Sequence, residues 1–426
     1  MTIQAIELFR SAPRYLTARA IGDRAPGFVS GPIAPLRLVN KSDPEPPGPG
    51  WARVRPLLSG ICGSDLATIS GKSSFFFSPL VSMPFVPGHE VVGELLEDVD
   101  DLKAGRRVVL SPVLGCPARG VEPWCEGCKN GDFGRCDRVT SGHVSPGLQT
   151  GYCKDTGGGW SKMFVAHRSQ LHVVPDDIPP ERAVLIEPLA CAVHAALRAN
   201  VQPNDDVLIV GAGSIGVLTL LAVKELTPAG TVTVAAKHGK QRMWAEAFGA
   251  SHVVPPDETL NRVRRDTRAM KLKPERGRPF LLGGVDVAID CVGSKSSLDL
   301  ALRTTRAGGR VVLAGIPVQA PDLTPVWYRE LELVGAYTGG IERLPGKPKR
   351  GARGADGASA DARAVAPREG ERHAFDIAID LASRNPVLDR MVGATYPLKR
   401  WREAIDHAMS AGRMGTLKVA FDPRQD

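Results

Sequence analysis

The sequence of 426 residues has no long hydrophobic run. No stretch approaches the roughly 18–20 consecutive apolar residues that a transmembrane helix requires. The first nine residues, MTIQAIELF, also lack the basic segment followed by an apolar segment that is typical of a secretory signal. We therefore expect a cytoplasmic protein that does not have a membrane among its partners.

Negative charge is in deficit, since 46 acidic residues face 54 Lys and Arg residues and give a net charge of +8. Aromatic residues make up only 5% of the chain, and no aromatic-rich basic motif accompanies the cations, which are spread along the sequence. This distribution argues against nucleic-acid binding. An anionic cofactor is a simpler explanation for a basic surface, so we expect no nucleic-acid partner.

Internal repeats are absent, so the domains must be located from changes in residue composition and hydrophobic pattern along the chain. A chain of this length exceeds one ordinary core, which favours two domains. Residues 1–188 are rich in Gly, Pro and short Val/Leu/Ile runs and predict an irregular, mainly β domain. Residues 340–426 are expected to return to this domain after an exposed, mobile insertion at residues 341–372, which has little that could enter a core. They are expected to end in a closing strand at residues 417–420.

Residues 189–339 have a different pattern, in which short apolar strands alternate with amphipathic helical stretches. The predicted strands lie within residues 207–213, 231–236, 285–293, 310–316 and 331–337. Such alternation predicts a doubly wound parallel sheet with helices on both faces, and therefore an α/β fold class.

A glycine-rich turn, GAGSIG, joins the first predicted strand of this region to an apolar helix. This context turns the weak GxGxxG pattern into a dinucleotide site. Gly211 permits the tight turn, Gly213 lets the backbone approach a pyrophosphate, and Gly216 lets the helix pack closely. Ser214 and Ile215 begin the helix, whose free N–H groups attract an anion. A tight turn that binds no ligand is the alternative.

The end of the second predicted strand indicates which dinucleotide is bound. An acidic residue usually follows the glycines by about 20 positions and holds the adenosine ribose. Here Ala236 takes that position, and Lys237, His238, Lys240 and Arg242 follow. Cations without a carboxylate suit a 2′-phosphate, so NADP is favoured over NAD. A solvated start of a helix is the other interpretation.

Four candidate metal ligands lie outside the glycine-rich region. Cys62 stands in GICGSD, His89 and Glu90 in PGHE, and Glu187 in EPLA. A thiolate, an imidazole and carboxylates together form a tetrahedral zinc site with a position left for water or substrate. Each residue alone is ambiguous, but the set favours a catalytic metal.

These segments, with the glycine turn, AEAFGA at 245–250 and DCVG at 290–293, resemble the medium-chain, zinc-dependent alcohol dehydrogenase superfamily. The resemblance is strongest to its sorbitol and threonine dehydrogenase branch and spans most of the chain. It implies a GroES-like, mainly β catalytic domain and a Rossmann domain. It also implies that Cys62 and His89 ligate the catalytic zinc and that Glu90 ligates directly or exchanges with water, while Glu187 stands where other branches place a second cysteine.

The same resemblance assigns roles to neighbours of Cys62. Asp65 would hold His89 in the correct tautomer, and Ser64 would pass the substrate proton outward. Many relatives continue this proton path with a His where the present chain has Ala67. The proton must therefore leave by another route, through water or the cofactor ribose.

A second group of cysteines matches the family's structural zinc lobe, expected here at about residues 111–140. Cys125, Cys128 and Cys136 have the spacing C-x2-C-x7-C, and Glu122 occupies the usual place of the fourth thiolate. Cys116 lies nine positions before Cys125 and is the favoured fourth ligand. A site with three thiolates and another ligand, or an empty lobe, is the alternative.

The resemblance implies hydride transfer between NAD(P) and a secondary alcohol or its ketone, with a polyol or an amino alcohol among the candidate substrates. Two other functions are possible, a zinc-free NADPH-dependent quinone or alkene reductase and a non-catalytic nucleotide-binding protein. The resemblance also implies a homodimer or homotetramer that pairs through the strand at residues 331–337.

Overall fold

The computed structural model describes residues 2–21, 27–31, 34–316, 319–344 and 367–425. Within these ranges the chain forms two compact units. The first contains the described residues up to Glu187 together with those from 367 onward, and the second runs from Pro188 through residue 344. The central part of the predicted insertion, residues 345–366, lies outside the described residues.

The first unit is built mainly from short β-strands. Its strands are β1 Thr2–Leu8, β2 Leu36–Ser42, β3 Trp51–Gly60, β4 Val91–Leu95, β5 Arg107–Leu110, β6 Phe164–His167, β7 Leu171–Val173, β17 Glu371–His373, β18 Val392–Tyr396 and β19 Lys418–Phe421. A seven-stranded sheet has the order β18-β19-β3-β4-β5-β7, with β6 also paired to β3. The strand β19 comes from the end of the chain, so residues far apart in sequence meet at β3 and β4.

Short helices connect these strands and cover the ends of the sheet. They are α1 Ala12–Ile21, α2 Gly27–Ser30, α3 Gly63–Ile69, α4 Cys116–Arg119, α5 Glu126–Lys129, α6 Pro180–Ala183, α13 Ala374–Arg384 and α14 Trp401–Met414, with 3-10 turns at Phe75–Leu80, Phe133–Arg135, Arg168–Gln170, Pro386–Arg390 and Leu398–Arg400. One buried cluster, which includes Trp160, Trp401 and Phe421, joins the closing helix and strand to the N-terminal part of the unit. The burial of such large side chains contributes most of the packing free energy.

The second unit contains a six-stranded parallel sheet of order β10-β9-β8-β13-β14-β15. Its strands are β8 Val207–Val210, β9 Val232–Ala235, β10 His252–Val254, β13 Val285–Asp290, β14 Thr305–Leu313 and β15 Glu332–Gly335, and β11 Met270–Leu272, β12 Phe280–Leu282 and β16 Ile341–Arg343 lie outside this sheet. Every residue of β8 is buried, as expected for a central strand covered on both faces.

Helices follow most strands of this sheet. They are α8 Ser214–Leu226, α9 Gly239–Ala247, α10 Thr259–Thr267, α11 Lys295–Thr304 and α12 Thr324–Tyr328, while α7 Ile186–Arg198 spans the boundary between the units. The predicted α/β class with a mainly β domain and a doubly wound parallel sheet is confirmed. The strand β10 and the hairpin β11–β12 are additions that the sequence pattern did not predict.

Among the described residues, no helix is both long and apolar enough to cross a membrane.

Candidate active site

Cys62 lies where β3 ends and α3 begins. It is the N-cap residue of α3, and its backbone N–H donates to Asp65 Oδ2 at 3.0 Å in a reciprocal capping arrangement. Such a cap satisfies backbone groups that the first helical turn leaves without partners. The short motif CGSD therefore fixes both the thiol of Cys62 and the carboxylate of Asp65.

The His89 ring is buried against this helix start. Its Nδ1 lies 3.5 Å from Asp65 Oδ1, and its Nε2 lies 3.4 Å from Ser64 Oγ. Burial lowers the pKa of His89, but the Asp65 carboxylate and the Cys62 thiolate outweigh it and raise that pKa well above its usual value. The structure thus brings Cys62, Ser64, Asp65 and His89 together.

Glu90 is turned toward the closing strand of the chain. Both of its carboxylate oxygens accept hydrogen bonds from Lys418 Nζ, at 2.7 and 2.5 Å. The two side chains are 1% and 4% exposed, so the ion pair is fully removed from water. The Cα of Gly60 is so close to Glu90 Oε2 that any Cβ at residue 60 would collide with it.

Lys418 also links the pair to the other candidate ligands. Burial lowers the pKa of Lys418, but the negative charges of Glu90, Cys62 and Glu187 raise it above its usual value. Glu187, in the first turn of α7, is itself buried. Lys418 was not predicted as a site residue, although a lysine between the apolar residues of a predicted strand is a signal of a buried counter-ion.

A group of hydroxyl side chains continues outward from Ser64. The Tyr152 hydroxyl lies 3.2 Å from Thr68 Oγ1, and the Ser64 side chain is among the neighbours that affect its pKa. Thr68 Oγ1 in turn lies 2.9 Å from Ser73 Oγ, in a partly exposed loop. Burial raises the pKa of Tyr152, so this phenol remains protonated and can both accept and donate a proton. Sequence reasoning did not find this group, since no short motif contains it.

Cys116, Cys125, Cys128 and Cys136 form a separate cluster. Their sulfur atoms all lie within 4.8 Å of one another, whereas no other three potential metal ligands in the described parts of the chain, including Cys62, His89 and Glu187, are gathered this closely. Cys116 Sγ and Cys136 Sγ are 3.8 Å apart. Four thiolates at about 2.3 Å from a tetrahedral zinc would be separated by about the same distance. The geometry therefore fits a closed metal site.

Backbone N–H groups point at these sulfurs. The N–H of Cys116 donates to Cys128 Sγ at 3.3 Å, and that of Cys125 donates to Cys116 Sγ at 3.4 Å. A hydrogen bond from Cys128 lowers the pKa of Cys136, whereas burial raises the pKa of Cys116. Metal binding requires the thiolate form, which such N–H donors stabilise.

The buried guanidinium of Arg119 holds the loops of this lobe together. It is 0% exposed, and burial lowers its pKa. The carbonyl oxygens that accept its hydrogen bonds belong to Leu114, Ser141, Val144, Ser145 and Gly147. One side chain thus replaces much of the regular backbone pairing that the lobe lacks.

The GAGSIG turn follows β8 as the sequence predicts. Gly211 has a φ of +100°, a conformation that favours glycine, and a Cβ at Gly216 would collide with the carbonyl oxygen of Gly211. A Cβ at Gly213, the N-cap of α8, would meet no atom within 4 Å. Ser214 and Ile215, in the first turn of α8, are partly exposed. This side of the turn is therefore open to a ligand.

Ala236 follows β9 directly, with its side chain fully buried. Lys237 is exposed, His238 is the N-cap of α9, and Arg242 Nη2 lies 3.9 Å from the position of a Cβ at Gly239. None of these three basic residues takes part in an ion pair between residues that the structure describes. They are available to an anionic group at the start of α9.

Comparison with known proteins identifies the family. Residues 48–176 match the alcohol dehydrogenase GroES-like domain, and residues 214–347 match the zinc-binding dehydrogenase family. The chain is 31% identical to L-idonate 5-dehydrogenase of Vitis vinifera over 295 residues, which cover 68% of this chain and 74% of that protein. It is 30% identical to human sorbitol dehydrogenase over 320 residues, or 72% and 80% of the two chains.

A similar fold occurs in a structure described as a zinc-binding dehydrogenase from Sinorhizobium meliloti 1021 bound to NADP. It has a TM-score of 0.68 and 23% identity, and the match covers 99% of this chain and 100% of that one. The chain belongs to the zinc-dependent medium-chain alcohol dehydrogenase family, in its sorbitol dehydrogenase-like branch. It is an NAD(P)-dependent oxidoreductase that acts on an alcohol or the corresponding ketone, as the sequence predicts.

Proposed function

We propose that this enzyme interconverts a polyol-type secondary alcohol and its ketone with NADP, at a catalytic zinc bound by Cys62, His89 and Glu187. The observation that carries the proposal is the joint placement of Cys62, His89 and Asp65 at the start of α3. Asp65 Oδ1 and His89 Nδ1 are both buried, and neither has a hydrogen-bond partner within the described residues. A proton on Nδ1 would face Asp65 and leave the Nε2 lone pair for a metal.

We assign Glu90 a role other than direct ligation, whereas the resemblance implies that it ligates directly or exchanges with water. Its two carboxylate oxygens face Lys418, so we assign it to charge balance beside the zinc. A buried ammonium close to Cys62 and Glu187 offsets the negative charge that these ligands bring into a dry site. Exchange of Glu90 onto the metal would require breaking its bonds to Lys418.

When bound, zinc supplies Lewis-acid polarisation of the substrate oxygen, and the nicotinamide supplies the hydride acceptor. Ser64 accepts the proton of the substrate hydroxyl during oxidation. Tyr152, Thr68 and Ser73 then provide successive hydroxyls, each able to accept one proton and release another toward solvent. This route needs no ionisable group at Ala67.

The substrate class is supported by relatives named for polyol or sugar-acid chemistry, namely L-idonate 5-dehydrogenase and sorbitol dehydrogenase. NADP is supported by the unpaired Lys237, His238 and Arg242, because cations at this position attract a 2′-phosphate. We further propose that Cys116, Cys125, Cys128 and Cys136 bind a structural zinc.

The edge strand β15 supports the proposal of a homodimer or homotetramer. Leu333 on this strand and Trp327 and Tyr337 near it are exposed, at 39%, 81% and 49%. Exposed apolar side chains beside an unpaired strand edge favour association with a second copy. We propose that the assembly works in the cytoplasm on small molecules, without a nucleic-acid partner.

A zinc count combined with a screen of secondary alcohols and ketones against NADP and NAD tests the proposal. We expect two zinc ions per chain and turnover of polyols with NADP. Full activity in a metal-free preparation would instead indicate the zinc-free reductase, and nucleotide binding without turnover of any alcohol or ketone would indicate a non-catalytic protein.

A further inference from the structure

Residues 262–278 concentrate positive charge on the second unit. They contain eight of the 54 Lys and Arg residues of the chain but only two acidic residues. The segment begins in α10, passes through β11 and ends just before β12. It therefore combines a helix end and a hairpin in one basic surface, which we call the basic hairpin.

The inner side of the basic hairpin is fixed to the core. Leu281 is 0% exposed, and Ala269 and Val263 belong to the same buried cluster. Lys271 Nζ donates to Asn261 Oδ1 at 2.9 Å and joins the hairpin to α10. These contacts hold the hairpin as a platform of defined shape.

The outer side of the hairpin is apolar. Met270 pairs with Leu282, and Leu272 pairs with Phe280, in antiparallel register. Since side chains alternate across a strand, these four point to the face opposite Leu281. Met270 is 62% exposed and Leu282 is 39% exposed, while Leu272 and Phe280 are partly buried, so one end of this face is open in the described part of the unit.

Exposed cations flank the two strands of the hairpin in sequence, with the exposed Glu275 among them. Arg264, Arg265 and Arg268 stand at the end of α10, and Lys273 and Arg276 stand in the turn of the hairpin. None of the five takes part in an ion pair between described residues, whereas Arg262 and Arg278 do, with Asp266 and Asp299. The free cations can therefore meet an external anion.

We propose that the basic hairpin docks on an anionic phospholipid surface. Apolar side chains in a segment rich in Lys and Arg suit a bilayer, because the apolar groups enter the acyl boundary while the cations meet the headgroups. A second copy of the chain is disfavoured, since two such faces repel each other. Nucleic acid is disfavoured because the face presents mostly aliphatic groups instead of polar or stacking ones.

This inference revises the expectation that a membrane is not a partner. A peripheral contact needs no spanning helix, so it is compatible with the helices described above. It is also independent of the proposed enzymatic function, because none of the residues in the basic hairpin has been placed in the catalytic or nucleotide site.

Co-sedimentation with vesicles of phosphatidylcholine, alone or with 30 mol% phosphatidylglycerol (about one lipid in three, an anionic surface), tests the proposal. We expect binding of the full enzyme to the anionic vesicles alone, and a loss of binding as salt is raised. The double variant Lys273→Glu/Arg276→Glu should bind roughly 30-fold or more weakly. Met270→Ser should also weaken binding at constant charge.

The matched control is Arg390→Glu/Lys399→Glu, which removes the same charge from exposed positions of the first unit. It should keep most of the binding, and alcohol turnover of the hairpin variants in solution should equal that of the wild type. Equal binding to neutral vesicles, an equal loss in the control variant, or binding to duplex DNA without binding to vesicles would overturn the proposal.

Discussion

The Lys418 ammonium and the Glu90 carboxylate form a buried ion pair next to the candidate zinc ligands, with N–O distances of 2.5 and 2.7 Å. The two residues are 328 positions apart in the sequence. The last strand of the chain thus places a positive charge beside residues that come from the first half of the sequence. This pairing makes the C-terminal strand part of the candidate active site.

Removing one partner of this pair should destabilise the first unit. Lys418→Met leaves the Glu90 charge buried without its counter-ion, which typically costs about 3–5 kcal/mol. We expect a lower unfolding temperature and weaker zinc retention in dialysis. The double variant Glu90→Gln/Lys418→Met should recover most of the unfolding free energy, and a double variant as unstable as Lys418→Met would contradict an ionic pairing.

The four-cysteine lobe should lose its metal when one sulfur is replaced. Cys116→Ser is expected to lower the zinc content by one equivalent and to reduce the unfolding temperature, because metal binding contributes directly to folding. Elemental analysis and thermal unfolding measure both effects. Cys153→Ser is the matched control, since its side chain can still donate to the Ser145 carbonyl; equal zinc loss in both variants would argue against Cys116 as a ligand.

Loss of the Tyr152 hydroxyl should slow proton removal while it preserves the packing of the ring against Phe85. We expect Tyr152→Phe to lower kcat by about a hundredfold, which is the low end of the rate enhancement that a positioned proton-transfer group contributes. Small buffer molecules should partly restore the rate. Tyr396→Phe removes a comparable hydroxyl bonded to His407 and should have little effect; a slow Tyr152→Phe enzyme that no buffer rescues would indicate a structural role.

Cofactor preference should depend on Arg242. A charged hydrogen bond contributes about 1.5–3 kcal/mol, so Arg242→Ala should lower kcat/KM for NADP by roughly tenfold to a hundredfold and leave the value for NAD nearly unchanged. Steady-state kinetics with both cofactors measure the change, and Arg390→Ala serves as the control. A parallel loss with NAD and NADP would show that Arg242 does not contact the 2′-phosphate.

The parallel sheet was predictable because its strands carry a strong local signal. Residues 207–210 are all apolar, enter a glycine turn and precede a helix, and the structure places them as the buried strand β8. Likewise, the predicted closing strand at residues 417–420 corresponds to β19, Lys418–Phe421. Such elements depend on near neighbours in the sequence and so can be read from it.

The remaining features depend on contacts that the sequence does not display. The hairpin β11–β12 lies in a segment so rich in cations that it resembles a solvated loop, and its anchor Leu281 is identified only by packing. The pairing of Lys418 with Glu90, and of Tyr152 with Thr68, joins distant segments with no shared motif. Tertiary contacts of this kind decide the electrostatics of a site, while local patterns decide its position.

Gly60 constrains how this enzyme can vary. Any side chain at that position would collide with Glu90 and push the carboxylate off the ammonium of the C-terminal strand. A Gly60→Ala variant should therefore have the same defect as a variant of Lys418, although the two residues are far apart in the sequence. A second substitution that restores the protein should arise near residue 418 sooner than near residue 60.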